Sequence, residues 1–300
     1  MKLIHFQGLN CYHDCLITLA NTFGLDYTSA FSRLWSEGHL RYDPICDVFL
    51  SRRIEKTLEC LGMKLGPPST AVREREKEWL DIQAGHYAII GMDAGLIPWS
   101  PLYRLLHGPH YFIIQKGFSE FHDCFDPTYG FSGQKLPEQE LIYQSFALIT
   151  IKADSAPISN TDNTHDSLLS QAQEVLEMHP ETLRRFFKQA AVWMQGTETT
   201  ALFPAKYVDA LLTGRYLYKY YLKEHICDEK EATLFFSGKY YAEWLSVKHG
   251  FYKAALKKQN NDTFRESCRL LTSLYEQELE LAGQLSLARS APCREARPRN

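Results

Sequence analysis

"HYFIIQKGFSEFHDCFDP" (residues 110–127) holds two short apolar runs, 110–114 and 121–125, parted by a polar turn around Lys116–Glu120. Aromatic and branched residues crowd both runs, which is the composition of β-strands. A turn this short makes the two strands antiparallel neighbours. Working outward, "HYAIIGMD" (86–93) and "FALITIK" (146–152) have the same character. Ahead of the strands the pattern is helical. From Cys11 to Phe23, Leu16, Leu19, Ala20 and Phe23 fall at helical spacing, and Gly24 ends the run. Ser29–Glu37, Ser51–Leu61 (closed by Gly62) and Thr70–Gln83 are further expected helices. Helices first and a sheet after them make an α+β order.

Beyond the sheet, "ADSAPISNTDNTHD" (153–166) is small, polar and without apolar periodicity, and reads as a linker. The rest is helical: Ser167–Met178, Pro180–Gln195, Pro204–His225, Lys230–Lys248 and Asn261–Leu287, punctuated by Gly196 and Gly250. The expected organisation is a mixed domain over 1–152, a linker over 153–166, a helical domain over 167–288 and a disordered basic tail over 289–300. Tyr216, Tyr218, Tyr220 and Tyr221 could suggest a cofactor box. At this spacing they are expected to cover a core instead.

Bulk composition narrows the function. The chain has 300 residues, 45% hydrophobic and 23% charged, with a net charge of -3. That balance gives no electrostatic reason to expect nucleic acid or an anionic membrane as partner. No run approaches the ~20 apolar residues of a membrane span, and "MKLIHFQGLN" lacks a signal peptide's apolar segment, so a cytoplasmic protein is expected. Eight cysteines are scattered without C-x-x-C spacing, which argues against a zinc ribbon and a disulfide framework. No G-x-S-x-G, P-loop or G-x-G-x-x-G motif is present.

Chemistry is expected from a cysteine. A nucleophilic thiol needs a field favouring the thiolate, a base within reach and a group that orients the base. Cys11 stands at a helix start, where unpaired N–H groups supply the field; Cys15, one turn on, should be buried. His110 opens one strand and Asp126 closes its neighbour, so antiparallel pairing brings the two ends together. Asp123 falls on the opposite strand face. His107 and His110 lack further ligands near them in sequence, so no metal is expected. His5, His13 and His122 are each expected to be solvated or structural.

Here the residues resemble a known pattern. "NCYHDCLITLANTFG" followed by "HYFIIQKGFSEFHDCFDP" resembles the papain-like layout of the bacteriocin-leader peptidases, and more closely the butirosin biosynthesis protein H family. In that family a peptidase-like domain performs acyl transfer. "MDAGLIPWSPLY" (92–103), "KLPEQEL" (135–141) and the helical second half are also similar, so the likeness spans about residues 3–290. The resemblance implies a papain-like fold and a Cys11–His110–Asp126 triad. It implies an acyl group arriving on the phosphopantetheine arm of an acyl or peptidyl carrier protein, passing to Cys11, and leaving to a small amine acceptor as an amide. No bound cofactor is implied. A cysteine peptidase or thioesterase using the same triad is the alternative.

The chain departs from the peptidases at two places. Tyr12 stands where they carry glycine, which favours a slim thioester over a peptide backbone. The peptidases' oxyanion glutamine lies about six residues before the cysteine, whereas Gln7 lies four before and His5 takes the six-residue position. Gln7 is the candidate oxyanion donor beside the backbone N–H of Cys11. Asp93 is the candidate carboxylate for a second ammonium of the acceptor, with a turn-forming role as the plainer reading.

Overall fold

A computed structural model describes residues 1–153, 164–225, 232–257 and 261–290, with the side chains of 164–167, 261 and 288–290 left out. Most of the expected linker and tail therefore lies outside the described residues. The helix α1 (Cys11–Thr22) comes first, then the ribbon strands β1 (Arg41–Asp43) and β2 (Val48–Leu50). Next are α2 (Arg52–Cys60), β3 (Met63–Leu65), α3 (Val72–Asp81), β4 (Tyr87–Asp93), β5 (Pro109–Gln115), β6 (Phe121–Asp126), β7 (Phe131–Pro137), α4 (Glu138–Tyr143) and β8 (Ser145–Ala153). The strands β3-β8-β4-β5-β6-β7 form one six-stranded sheet, in that order, with antiparallel pairing throughout. The α+β expectation holds at that level.

Contacts divide the chain into two compact units. One comprises Met1–Ala30, Asp43–Asp47 and the chain from Arg52 through β8; the other comprises Phe31–Tyr42, Val48–Ser51 and the described helices of the second half. The sheet's core is assembled by strand alternation. Ala88, Ile90 and Met92 of β4, Phe112 and Ile114 of β5 and Cys124 of β6 gather with Trp79, Leu141 and Trp99 in one buried cluster. At about 25 cal/mol per Å² of apolar surface removed from water, such clusters are the main favourable contribution to the fold.

The second unit holds α5 (Thr164–Met194), α6 (Glu198–Ala201), α7 (Phe203–His225), α8 (Thr233–Phe236), α9 (Gly238–Leu256) and α10 (Asn261–Ser290). At its centre Arg215 donates to both oxygens of Glu278 at 3.1 and 3.0 Å, and His179 Nε2 lies 2.7 Å from the same carboxylate. Tyr240 donates its hydroxyl to Glu278, and the Arg215 guanidinium lies over the Trp244 ring. Burial would raise the Glu278 carboxyl, but the Arg215 charge and the His179 bond hold it well below the usual range. Tyr218 and Tyr221 are core residues, Tyr218 packing against Trp35 and Phe235, as the plain reading anticipated, whereas Tyr220 is half-buried and Tyr216 is exposed and stacked on Tyr241.

Several elements differ from expectation. Residues 29–37 make no α-helix. Asp26 accepts the Thr28 N–H and the Thr28 and Ser29 hydroxyls, which fixes a tight turn continued only by 3-10 geometry over Tyr27–Phe31. The two helices expected to part at Pro180 are one, α5. Proline removes one N–H donor and is usually a helix end, yet Ala172, Val175, Phe186 and Ala190 are buried on both sides of it. Gly250 lies inside α9 and does not end it: a Cβ there would collide with the Ser267 hydroxyl of α10, so the residue serves close helix approach. Strands β1, β2, β3 and β7 were not anticipated. Three have only three residues, and β7, an edge strand, has one buried position among seven.

Candidate active site

Asn10 caps α1, accepting the His13 N–H at 2.9 Å, so Cys11 is the first helical residue. Its own N–H has no acceptor within the helix and lies at the positive end of the helix dipole. Cys11 is partly exposed, and the Tyr111 N–H of β5 points at its sulfur at 3.4 Å. Cys15 is fully buried, and burial, with the Cys11, Asp126 and Asp14 charges adding to it, pushes its thiol well up. The described cysteines 11, 15, 46, 60, 124 and 268 are all free.

His110 and Asp126 meet as the strand register dictates. Ile114 pairs with Cys124, so Phe112, His110 and Asp126 share that face near the strand ends. His110 Nε2 donates to Asp126 Oδ2 at 2.7 Å, with the two residues 3% and 0% exposed. The other ring nitrogen, Nδ1, is left for the side-chain hydrogen bond with Cys11. Burial alone would depress the imidazole. The bonds and charges of Asp126 and Cys11 outweigh it and raise His110 to about 9. The ring is therefore protonated at neutral pH, and a cation beside sulfur is the partner a thiolate requires.

Two residues missed in the sequence complete this arrangement. Trp99 Nε1 donates to the same Asp126 Oδ2 at 2.9 Å. Tyr129, whose N–H bonds Asp126 Oδ1 at 3.1 Å, lays its ring on His110 with centroids 4.6 Å and planes 17° apart. The Asp-Pro-Thr-Tyr-Gly run after β6 is a turn signal that could have pointed to Tyr129. Trp99 lies in the 92–103 stretch that carries part of the resemblance, but nothing local marks its indole as a donor to Asp126.

Tyr12, the residue after Cys11, is the first of three aromatic residues in contact. Its ring is 5.3 Å from Tyr111, which lies 5.4 Å from Phe146. Gly91 makes room for the last two, since a Cβ there would run into the Phe146 ring. Burial, together with the charge of Glu55 and the bond to it, pushes the Tyr12 phenol far up, so it donates to Glu55 and stays neutral.

The remaining candidates are held differently. Gln7 is exposed on the turn that precedes the Asn10 cap. His5 Nδ1 lies 2.8 Å from the buried Asp14 carboxylate, which also accepts the Thr128 hydroxyl at 2.8 Å. His13 is bonded to Asn10 and pushed down to about 4 by burial, and His122 accepts the Gly117 N–H. Asp123 faces Lys135. Asp93 accepts the Gly95 N–H at 2.9 Å, the Gly108 N–H at 3.1 Å and His107 Nδ1 at 2.6 Å. What burial it has would raise its carboxyl, and these donors hold it below the usual range. Its register partner is Pro109, whereas His110 pairs with Met92, so Asp93 lies on the other sheet face from His110. The His107 side chain is 87% exposed and occupies the position an ammonium would take on Asp93.

Among the described residues, no group of three His, Cys, Asp or Glu side chains could hold a metal ion, and no helix is long and apolar enough to cross a membrane. Comparison with known protein families gives no match, and comparison with curated proteins gives none either.

Proposed function

We propose that the chain is a cysteine-dependent acyltransferase of papain-like layout, cytoplasmic, taking its acyl group from a carrier protein's phosphopantetheine thioester and passing it to an amine. The observation that supports this most is the linked set of groups: Cys11 at a helix N-terminus, hydrogen-bonded to a protonated His110 whose far nitrogen is held by buried Asp126.

In the first step Cys11 sulfur attacks the thioester carbonyl, a new carbon–sulfur bond forms, and the phosphopantetheine sulfur leaves with a proton from His110 Nδ1. The exchange of one thioester for another is nearly isoenergetic. In the second step a neutral amine attacks the acyl-Cys11 carbonyl and His110 takes its proton. The carbon–sulfur bond then breaks, releasing an amide and the Cys11 thiolate. The Cys11 N–H and Gln7 are the donors assigned to the oxyanion. Tyr12, next to the nucleophile in sequence, packs its ring on Tyr111 at 5.3 Å, and a tyrosine where the peptidases carry glycine favours a slim pantetheine arm. Asp93, clamped by three donors on the other face of the sheet from His110, is given no part in binding the acceptor.

The same triad serves a hydrolase when water replaces the amine, so the test is on the acceptor. The protein is loaded from a carrier-bound acyl thioester, weighed intact, and offered a panel of diamines and aminosugars. Water is present at ~55 M, and only a dry pocket with a well-placed amine lets transfer compete. Slow decay in buffer with saturable acceleration by one amine class is expected. Rapid hydrolysis untouched by any amine overturns transfer in favour of a thioesterase or peptidase.

A further inference from the structure

The segment 94–108 between β4 and β5 carries no member of the triad, yet it reaches the triad twice. Trp99 donates to Asp126 Oδ2, the oxygen that also takes His110. Ser100, the next residue, bonds the phenol of Tyr129, whose ring is stacked on His110. Both ends of the segment are pinned by Asp93 through the Gly95 and Gly108 N–H groups. Trp99 is itself fixed, packed edge-on against Phe112 at 5.4 Å and 86° within the sheet's core.

We propose that Trp99 is a positioning residue of the triad: its indole N–H holds Asp126 Oδ2 in place and, by sharing that oxygen, moderates the carboxylate's grip on His110. An indole N–H only donates, and a rigid ring cannot turn it away. A carboxylate oxygen that accepts two donors is a more stable anion than one that accepts a single donor, and so a weaker partner for an imidazolium. Without the indole bond, Asp126 would concentrate its charge on His110. The ring would hold its proton more tightly and surrender it less readily to the departing pantetheine sulfur. This gives the 92–103 segment a role and makes Asp93 its clamp.

The inference rests on reading Cys11, His110 and Asp126 as a reactive site, so its test includes a measurement that needs no substrate. Trp99→Phe keeps an aromatic ring against Phe112 and removes the N–H. Benzothienylalanine at position 99 does the same at constant shape, should the phenylalanine variant fold poorly. The His110 ring is titrated by NMR in the whole protein, and acyl loading of Cys11 from a phosphopantetheine thioester is followed against pH. The expected result is an upward shift of the His110 midpoint by roughly 0.5 pH unit or more, the scale of one lost hydrogen bond to a carboxylate. Loading at neutral pH should slow by about tenfold in kcat with KM little changed, as for a lost positioning contact. A structural role alone would lower stability without moving the midpoint, and an unmoved midpoint in a folded variant overturns the proposal. If the wild-type protein fails to load, the functional reading falls, and the ring titration still decides the role of Trp99.

Discussion

The ring of Tyr129 lies flat on the ring of His110, 4.6 Å away and 17° from parallel, so one face of the imidazole is closed to water. The cover matters because the His110–Asp126 bond is stronger where the local dielectric is low. Tyr129→Phe keeps the stack and loses only the bond to Ser100, so acyl loading should stay within about threefold. Tyr129→Ala opens the pair to solvent and should cost about 10- to 100-fold, part of the ~10²–10⁴-fold that general acid–base catalysis supplies. Equal losses in the two variants would show that stacking is not what matters.

Cys11 and Cys15 stand one turn apart in very different surroundings. Intact mass after incubation with an acyl thioester should show one adduct, lost in Cys11→Ala and kept in Cys15→Ala. An adduct surviving Cys11→Ala would move the nucleophile elsewhere.

His110 and Asp126 should behave as one unit. His110→Ala is expected to lower loading by about 10²–10⁴-fold, and adding Asp126→Ala should cost little more. Asp126→Asn should hurt less than His110→Ala, because an amide oxygen still accepts from Nε2. Kinetics of the three variants check this, and multiplicative losses would place the residues in separate roles.

The raised His110 also links stability to pH. Its ordinary value is 6.5 and its folded value about 9, so the folded state binds the proton more tightly. That contribution is complete below 6.5 and is lost as pH rises through about 9. Urea midpoints measured across this window should fall more for the wild-type protein than for His110→Gln. Parallel curves would mean that the proton is not shared with the fold.

In the helical unit, Glu278→Gln leaves the fully buried Arg215 without its counter-charge and should destabilise by about 3–5 kcal/mol. Arg215→Met with Glu278→Leu should recover most of that, since both charges leave together. The Glu278 carboxyl is held low, so the pair's contribution is present above the usual carboxylate range and fades as pH falls below it. Denaturant titrations of the single and double variants give the comparison.

What could be read in the sequence divides along physical lines. Helical periodicity and branched apolar runs are local signals, and they located α1, β4, β5, β6 and β8 closely. The pairing of His110 with Asp126 was legible because a short turn fixes the register of β5 and β6. Trp99 was not, because its bond spans 27 positions and nothing near it announces a donor. Strand β7, mostly exposed at the sheet edge, has no apolar alternation to betray it. Gly250 looked like a stop because the helix that needs its missing side chain, α10, lies beyond it in the chain.

Asp93 gathers N–H groups from both ends of the excursion between β4 and β5, and this separates the length of that loop from the alignment of the strands. Residues 104–106 are exposed on its returning limb, where the Arg104 N–H bonds the Gly95 carbonyl at 3.0 Å. A codon inserted there would be absorbed between two pinned ends, leaving His110 facing Asp126. A single deletion two residues after His110, within β5, would turn Ile113 and Ile114 to opposite faces and break the match with β6. The loop can thus change length while β5 must keep its residue count, and grafted loops belong at 104–106.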